Sequence, residues 1–316
     1  MEFQRPPPEL LPYGLRALKM IAAANGVFDD SERHLLTTAM NLFGARLDLD
    51  ALEPIAPDEL AAKIADPALR KQLLRAMVIV SLVDGEATPD EAALVERFAA
   101  ALEIKTPDLT ALRHLADKSM VRARFDIARR FFAREKLLEF TREKGAGWLA
   151  SAVAAMAGLR EDKALSSRYR ALEACPAGSL GRGYFDFVAG QGFSFPGEKG
   201  SPPEVITLHD LTHVLSGYGT DPHGELQVLA FHAGCRREEK DPFGFLLFGI
   251  AEFHLGMAMS PVAAGSRGMF DPAAVFAALQ RGVACKIDPT DGWDPWPVMD
   301  RPLSELRAEY NISPLT

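Results

Sequence analysis

Helical periodicity runs along nearly all of this 316-residue chain, and no segment shows the strict apolar–polar alternation of a half-buried strand. Apolar residues three and four positions apart form one buried stripe on a helix, whereas strands need a period of two. This limits the chain to an all-α protein. The pattern predicts helices near 9–24, 30–43, 58–65, 67–83, 89–102, 107–117, 120–142, 146–158, 164–173, 179–190, 202–216, 222–237, 242–258 and 271–282. With 48% hydrophobic and 25% charged residues, the chain can bury two ordinary cores, expected at 1–118 and 119–316.

The first part contains an internal repeat offset by 59 residues, in which Ala22–Glu32 aligns with Ser81–Glu91. In each copy a helix is expected to end at a glycine, Gly26 or Gly85, which accepts the left-handed conformation. Three residues later Asp29 or Thr88 can cap the next helix, with Glu32 or Glu91 closing a capping box. The product is two αα-hairpins packed together. In this composition the segment resembles the TerB-like domain named for tellurite-resistance proteins, which implies a helical bundle suited to docking or regulation. Asp29, Asp30, Glu32, Asp84, Glu86, Asp90 and Glu91 offer oxygen atoms to a hard cation, but the alternating spacing of a calcium loop is missing. Capping accounts for four of them without an ion.

The chemistry concentrates further on. His209-Asp210-Leu211-Thr212-His213 is followed after eleven residues by Glu225. Residues four apart share one helix face, so His209 and His213 can aim two imidazoles at one point. Glu225 can bring a carboxylate there from the next helix, across the break at Gly217–Pro222. Two imidazoles and a carboxylate are a common ligand set for a catalytic divalent metal with an open position. Ser201-Pro202-Pro203-Glu204 reads as the capping box of the first helix, with Ser201 at the N-cap. Asp210, rotated about 100° from His209, is left open as an added ligand, a group orienting an imidazole, or a solvated charge. His223 is expected to be exposed near a helix start, and His232 can lie behind the ligands.

The pattern His-Asp-x-x-His-x11-Glu, carried by His209, Asp210, His213 and Glu225, resembles the metal motif of the coenzyme Q biosynthesis protein 4 family. Pro176-Ala177-Gly178-Ser179-Leu180-Gly181-Arg182 is similar to that family's Pro-x-Gly-Ser-Leu-Gly-Arg segment. The resemblance covers roughly residues 165–316, matches 119–164 loosely and leaves out the first 118. It implies a larger helical domain with a divalent metal between two helices, zinc before magnesium or iron. His209, Asp210, His213 and Glu225 become its metal-binding and catalytic residues. The implied substrate is a polyprenylated benzenoid precursor of ubiquinone or a related isoprenoid quinone, and the implied reaction is oxidative decarboxylation of its ring. Other quinone-biosynthesis proteins are the implied partners. Arg182 can pair with an anionic substrate group or form a surface salt bridge. Two rival functions stay open: a non-catalytic lipid-binding scaffold, and a metal-dependent hydrolase.

The remaining features set limits. A net charge of −8 with no concentration of Lys and Arg argues against nucleic acid. Cys175, Cys235 and Cys285 are scattered, without metal or disulfide spacing, which suits a reducing cytoplasm. Met1–Pro8 lacks a signal core and reads as a flexible leader. The apolar run Phe243–Met259 carries Glu252 and His254 and is short for a bilayer, so it is expected as a buried helix. Its Gly244, Gly249 and Gly256 suit tight packing or a groove for an isoprenoid tail. Trp293 and Trp296 are expected to cap the core. Location is expected to be cytoplasmic, with contact to the inner face of a membrane from the side, and a homo-oligomer is compatible.

Overall fold

The protein is described by a computed structural model covering residues 4–130, 132–259 and 264–315. Among these residues every regular element is helical, and the only β-pairing is three isolated bridges between loops. In chain order the first helices are α1 (Leu11–Ala22), α2 (Asp30–Phe43), α3 (Pro57–Lys63), α4 (Pro67–Val80), α5 (Pro89–Ala101), α6 (Pro107–Ala116) and α7 (Met120–Ala128). Next come α8 (Phe132–Lys144), α9 (Ala146–Met156), α10 (Lys163–Arg170), α11 (Leu180–Gly190), α12 (Thr207–Ser216) and α13 (Pro222–Cys235). The last are α14 (Pro242–Phe253), α15 (Pro272–Ala284) and α16 (Leu303–Glu309). The chain divides into two compact units: Glu2–Arg129 with Leu247–Ala277, and Arg130–Leu246 with Ala278–Thr316.

In the N-terminal unit the repeat is reproduced atom for atom. Asp29 Oδ1 accepts from Glu32 N at 2.8 Å, and Glu32 Oε2 accepts from Asp29 N at 2.8 Å. In the second copy Thr88 Oγ1 accepts from Glu91 N at 3.3 Å and Glu91 Oε2 accepts from Thr88 N at 2.8 Å. Each box satisfies donors that the first helical turn leaves open, worth about 1 kcal/mol per cap. The glycines sit later than expected. α1 and α4 stop at Ala22 and Val80, and Gly26 (φ +90°) and Gly85 (φ +94°) turn the chain beyond those ends. α1 packs on α4, and α5 on α4 and α6, around Leu18, Ile21, Leu74, Met77, Val95 and Phe98.

The two box glutamates are themselves buried, Glu32 at 1% and Glu91 at 0% exposure. Burial pushes Glu32 up to about 8 and Glu91 up to about 7; hydrogen bonds from Asp29 N to Glu32 and from Thr88 to Glu91 oppose this, Asp29 and Asp84 add to both, and Glu91 adds to Glu32. An unfolded glutamate titrates near 4.5, so the folded unit holds these protons to higher pH. Its stability therefore falls as pH rises from about 4.5 to about 8, since the native state binds the extra protons. Native-state hydrogen exchange of α2 and α5 should show protection falling across that range. Glu32→Gln should flatten the profile, by about 2 kcal/mol or more between its ends.

Beyond α6 the chain departs from the sequence expectation in four places. The segment 120–142 is two helices, because α7 ends at Ala128 and α8 begins at Phe132. α12 begins at Thr207, after a 3-10 turn at Glu204–Ile206, and not at Pro202. Pro203 is extended (ψ 147°), and a residue before proline avoids the helical region, so Pro202 cannot open the helix. Ser201 therefore caps nothing there: its hydroxyl accepts from Gly197 N at 3.2 Å. α14 stops at Phe253, where Gly256 at φ +74° turns the chain and Met257 N reaches back to Ala251 O. α16, with Leu306 as its buried anchor, was not expected at all.

Candidate metal centre

α12 carries both histidines, and its C-terminal end decides where they meet the carboxylate. Gly217, at φ +85°, closes the helix by donating its N–H to His213 O at 2.7 Å. Four residues later Asp221 caps α13, its Oδ1 accepting from His223 N and Gly224 N, with Pro222 at the first helical position. Between them the loop lies on the start of α13. A Cβ on Gly224 would fall 2.2 Å from Gly219 O and 2.6 Å from its carbonyl carbon. Only glycine allows this approach, and the approach delivers Glu225, the next residue, to the face of α12.

α11 supports α12 from another side. Ser179 Oγ caps α11 by accepting from Arg182 N at 3.3 Å, while Leu180 N and Gly181 N donate to Arg301 O and Met299 O. A Cβ on Gly183 would lie 3.0 Å from Val214 Cγ1, so that glycine lets α11 sit close against α12. The Pro176–Arg182 segment is thus a packing device for the histidine helix. Phe187, two turns along α11, stacks on the His213 ring at 5.5 Å with 22° between planes.

The three expected ligands converge. His209 Nε2 lies 3.1 Å from His213 Nε2 and 3.1 Å from Glu225 Oε2, and His213 Nε2 lies 3.4 Å from Glu225 Oε1. One ligand atom from each of the three falls within 4.8 Å of the others, so the group can hold a metal ion. Ligands about 2.1 Å from an ion are separated by about 3.0 Å at right angles and about 3.4 Å at the tetrahedral angle. The observed separations span these values, so tetrahedral and octahedral ions both fit.

Proton positions also suit a metal. His213 Nδ1 is 3.1 Å from Tyr218 O, which can only accept, so Nδ1 carries the proton and Nε2 presents a lone pair. His213 is buried, and His209 and Glu225 open slightly to solvent, with side chains 16% and 19% exposed. Burial acts to raise Glu225, but hydrogen bonds from His209 and His213 outweigh it and hold the carboxylate at about 2. Burial acts to lower His213, and Glu225 outweighs that, so the imidazole is raised above its ordinary value.

The other singled-out residues take different places. Asp210 does not join the converging donors. Its carboxyl is raised to about 6 by burial, with His209 and His213 opposing and Glu225 adding. His232 stacks on His209 at 5.5 Å and on Phe245 at 5.1 Å, and burial holds it well below the usual imidazole value. His223 is exposed at the start of α13. Arg182 is paired with Asp186 at 2.9 Å and hydrogen-bonded to Glu173 O at 3.2 Å on the surface. His254 is a buried polar group, its Nε2 2.9 Å from Val83 O and its Nδ1 accepting from Phe270 N. The sequence reading passed over Gly224 and Tyr218. A glycine inside a first helical turn, between a capped start and Glu225, was the signal for close backbone approach.

Residues 55–114 match the family model of tellurite resistance protein TerB, so the N-terminal unit contains a TerB helical domain. No curated protein and no solved structure matches the chain. The TerB match ends within α6 and does not reach α12 or α13.

Three outcomes check the centre. The full chain should take up one zinc ion, and His213→Ala should weaken uptake by about 100-fold or more, since losing a supporting group alone costs 10–100-fold. In wild type, affinity should drop about tenfold per pH unit below the raised His213 value, because that proton must leave before the nitrogen can bind. Competition with a chromophoric chelator reads both. Gly224→Ala should keep the helix content by circular dichroism but lower zinc affinity by about tenfold or more, as the clash with Gly219 O moves Glu225.

Proposed function

We propose that the His209–His213–Glu225 centre serves a polyprenylated benzenoid precursor of ubiquinone or a related isoprenoid quinone, and that the reaction is oxidative removal of the ring carboxylate as carbon dioxide, with a hydroxyl from water taking its place and an external two-electron acceptor taking the electrons. One observation carries the reading: three donors from two helices meet at ligand–ligand separations of 3.1–3.4 Å, in the order and spacing of the motif that suggested this pathway. A second supports it. The two segments that carry the resemblance, Pro176–Arg182 and His209–Glu225, are packed together through α11 and α12.

Two imidazoles and one carboxylate suit zinc, and iron(II) accepts the same set; magnesium, which favours oxygen donors, suits it less. When bound, the ion supplies a Lewis acid for a substrate carboxylate or phenolic oxygen. The chain itself holds the donors in register. Phe187 and His232 fix the planes of the His213 and His209 rings, Tyr218 O fixes a tautomer, and Asp210 places a second carboxyl beside the ligands. Among the described residues no helix is long and apolar enough to cross a membrane. A prenylated substrate is then met at the membrane surface, with the protein in peripheral contact.

Complementation tests the proposal. A bacterial strain unable to decarboxylate the prenylated ring should regain quinone when it expresses the full chain, and should fail to do so with His213→Ala or Glu225→Gln. If His213→Ala restores quinone as well as wild type does, the domain acts as a scaffold and not as a catalyst. If wild type binds zinc but restores nothing, the quinone assignment falls while the metal centre stands.

A further inference from the structure

Outside the metal centre, one pair of reactive side chains is brought together by the fold although fifty residues separate them in sequence. Cys235 is the last residue of α13 and Cys285 follows the last residue of α15. Their spacing gave no reason to pair them, yet the fold makes them neighbours, and each thiol acts on the ionisation of the other. The cause is a backbone-to-backbone crossing just before them. A Cβ on Gly234 would lie 2.3 Å from Leu279 O and 2.6 Å from Val283 N, and a Cβ on Gly282 would lie 2.1 Å from Phe231 O. No side chain fits between the helices there, so the sulfur-bearing residues that follow are close enough to meet. The Cys285 segment is also anchored from the other side: Lys286 N donates to Tyr310 O at 2.9 Å, and Asn311 Nδ2 to Ala284 O at 2.8 Å.

We propose that Cys235 and Cys285 form a reversible dithiol–disulfide site, with Cys285 the attacking sulfur, Cys235 the resolving one, and a hydroperoxide the oxidant. The two cysteines are inequivalent in the sense the chemistry needs. The Cys285 thiolate is favoured by the Cys235 thiol and by backbone groups at Ile287 and Lys286, which outweigh its burial. Cys235 is pushed the other way, by burial first and by its neighbour second. Both are partly buried but neither is sealed from solvent, so a small oxidant can reach the pair. With hydrogen peroxide, the Cys285 thiolate attacks one oxygen and the O–O bond breaks. This leaves Cys285 as a sulfenic acid and, after taking up one proton, releases water. The Cys235 sulfur then attacks the Cys285 sulfur; the S–O bond breaks, the S–S bond forms and a second water leaves. Two thiols have given two electrons and two protons to one peroxide. Two equivalents of a small thiol reverse the change.

Cys175 serves as the internal control. Burial and Asp300 raise it to about 11, while Cys285 lies below 9. The thiolate fraction at neutral pH therefore favours Cys285, and the lower intrinsic nucleophilicity of a more acidic thiol returns only part of that advantage.

The full chain is treated with one equivalent of hydrogen peroxide, blocked with N-ethylmaleimide, digested and analysed by mass spectrometry. The expected product is a peptide pair joined between Cys235 and Cys285, lost on dithiothreitol treatment, with Cys175 alkylated throughout. In Cys235→Ala, dimedone should trap a sulfenic acid at Cys285. In Cys285→Ser no linked pair should form, and peroxide should be consumed about tenfold more slowly. Because Cys235 abuts a packed crossing, circular dichroism of each variant should match wild type. The proposal is overturned if wild type keeps all three cysteines alkylatable after peroxide. It is equally overturned if Cys175 oxidises as fast as Cys285, or if the cross-links found join separate chains.

Discussion

Backbone lies directly on backbone where α12 turns into α13 and again where α13 crosses α15, and the arrangement of the second unit depends on the missing side chains at those two points. At Gly224 the approach of Gly219 O leaves no volume for a methyl group, and at Gly234 and Gly282 two helices share one surface. Interiors are packed to crystal density, so a methyl group at such a point must move a whole element. The first contact sets where Glu225 meets the histidines. The second fixes the far end of the same helix. α13 is therefore clamped at both ends, and the polar groups along it, Glu225, His232 and Cys235, inherit that placement.

The clamps explain which parts of the structure were legible in the sequence. A capping box is local: Asp29 with Glu32 and Thr88 with Glu91 involve four consecutive residues each, and both boxes form as read. Spacing along one helix is local too, so His209 and His213 share a face as read, and the break at Gly217–Pro222 put Glu225 in the next helix. Other features depend on contacts far along the chain. Cys235 and Cys285 meet only because Gly234 meets Gly282. α16 is seven residues long with one buried anchor, so it carries no periodic signal. Ser201 looked like a cap because its neighbours were prolines and a glutamate, but the extended conformation at Pro203 pushed the helix start to Thr207. Asp210 shows the same limit on a smaller scale. Sequence placed it beside His209, but whether its carboxyl turned toward the ligand point depended on the burial around it.

The two units handle buried carboxyls in opposite ways. Glu32 and Glu91 face other acids and no cation, so burial wins and both are pushed to about 8 and about 7. Glu225 is also removed from water, but two imidazoles hydrogen-bond to it and hold it at about 2. Burial is similar in kind; the partners differ. A carboxylate kept ionised between two nitrogen donors is ready to bind a cation, whereas one that keeps its proton in a helix cap is serving the fold. That contrast supports the view that the acidic turns of the N-terminal unit are structural and that the second unit carries the chemistry.

Charge balance extends the argument to the substrate. His213 and His209 as metal ligands are neutral and Glu225 contributes one negative charge, so a divalent ion in their midst leaves one positive charge over. His232, stacked behind His209, is held in its neutral form by burial, and so adds no positive charge. The Arg236 guanidinium, at the other end of α13, is already compensated by Glu135 and hydrogen-bonded to Thr290. The Asp210 carboxyl beside the ligands, raised to about 6, offsets that charge when ionised; when it keeps its proton the half-buried centre has one surplus positive charge and favours a ligand with one negative charge. A ring carboxylate meets this condition and a neutral lipid does not. On the proposed reading, the acid form of a benzenoid precursor supplies that charge and the finished quinone does not.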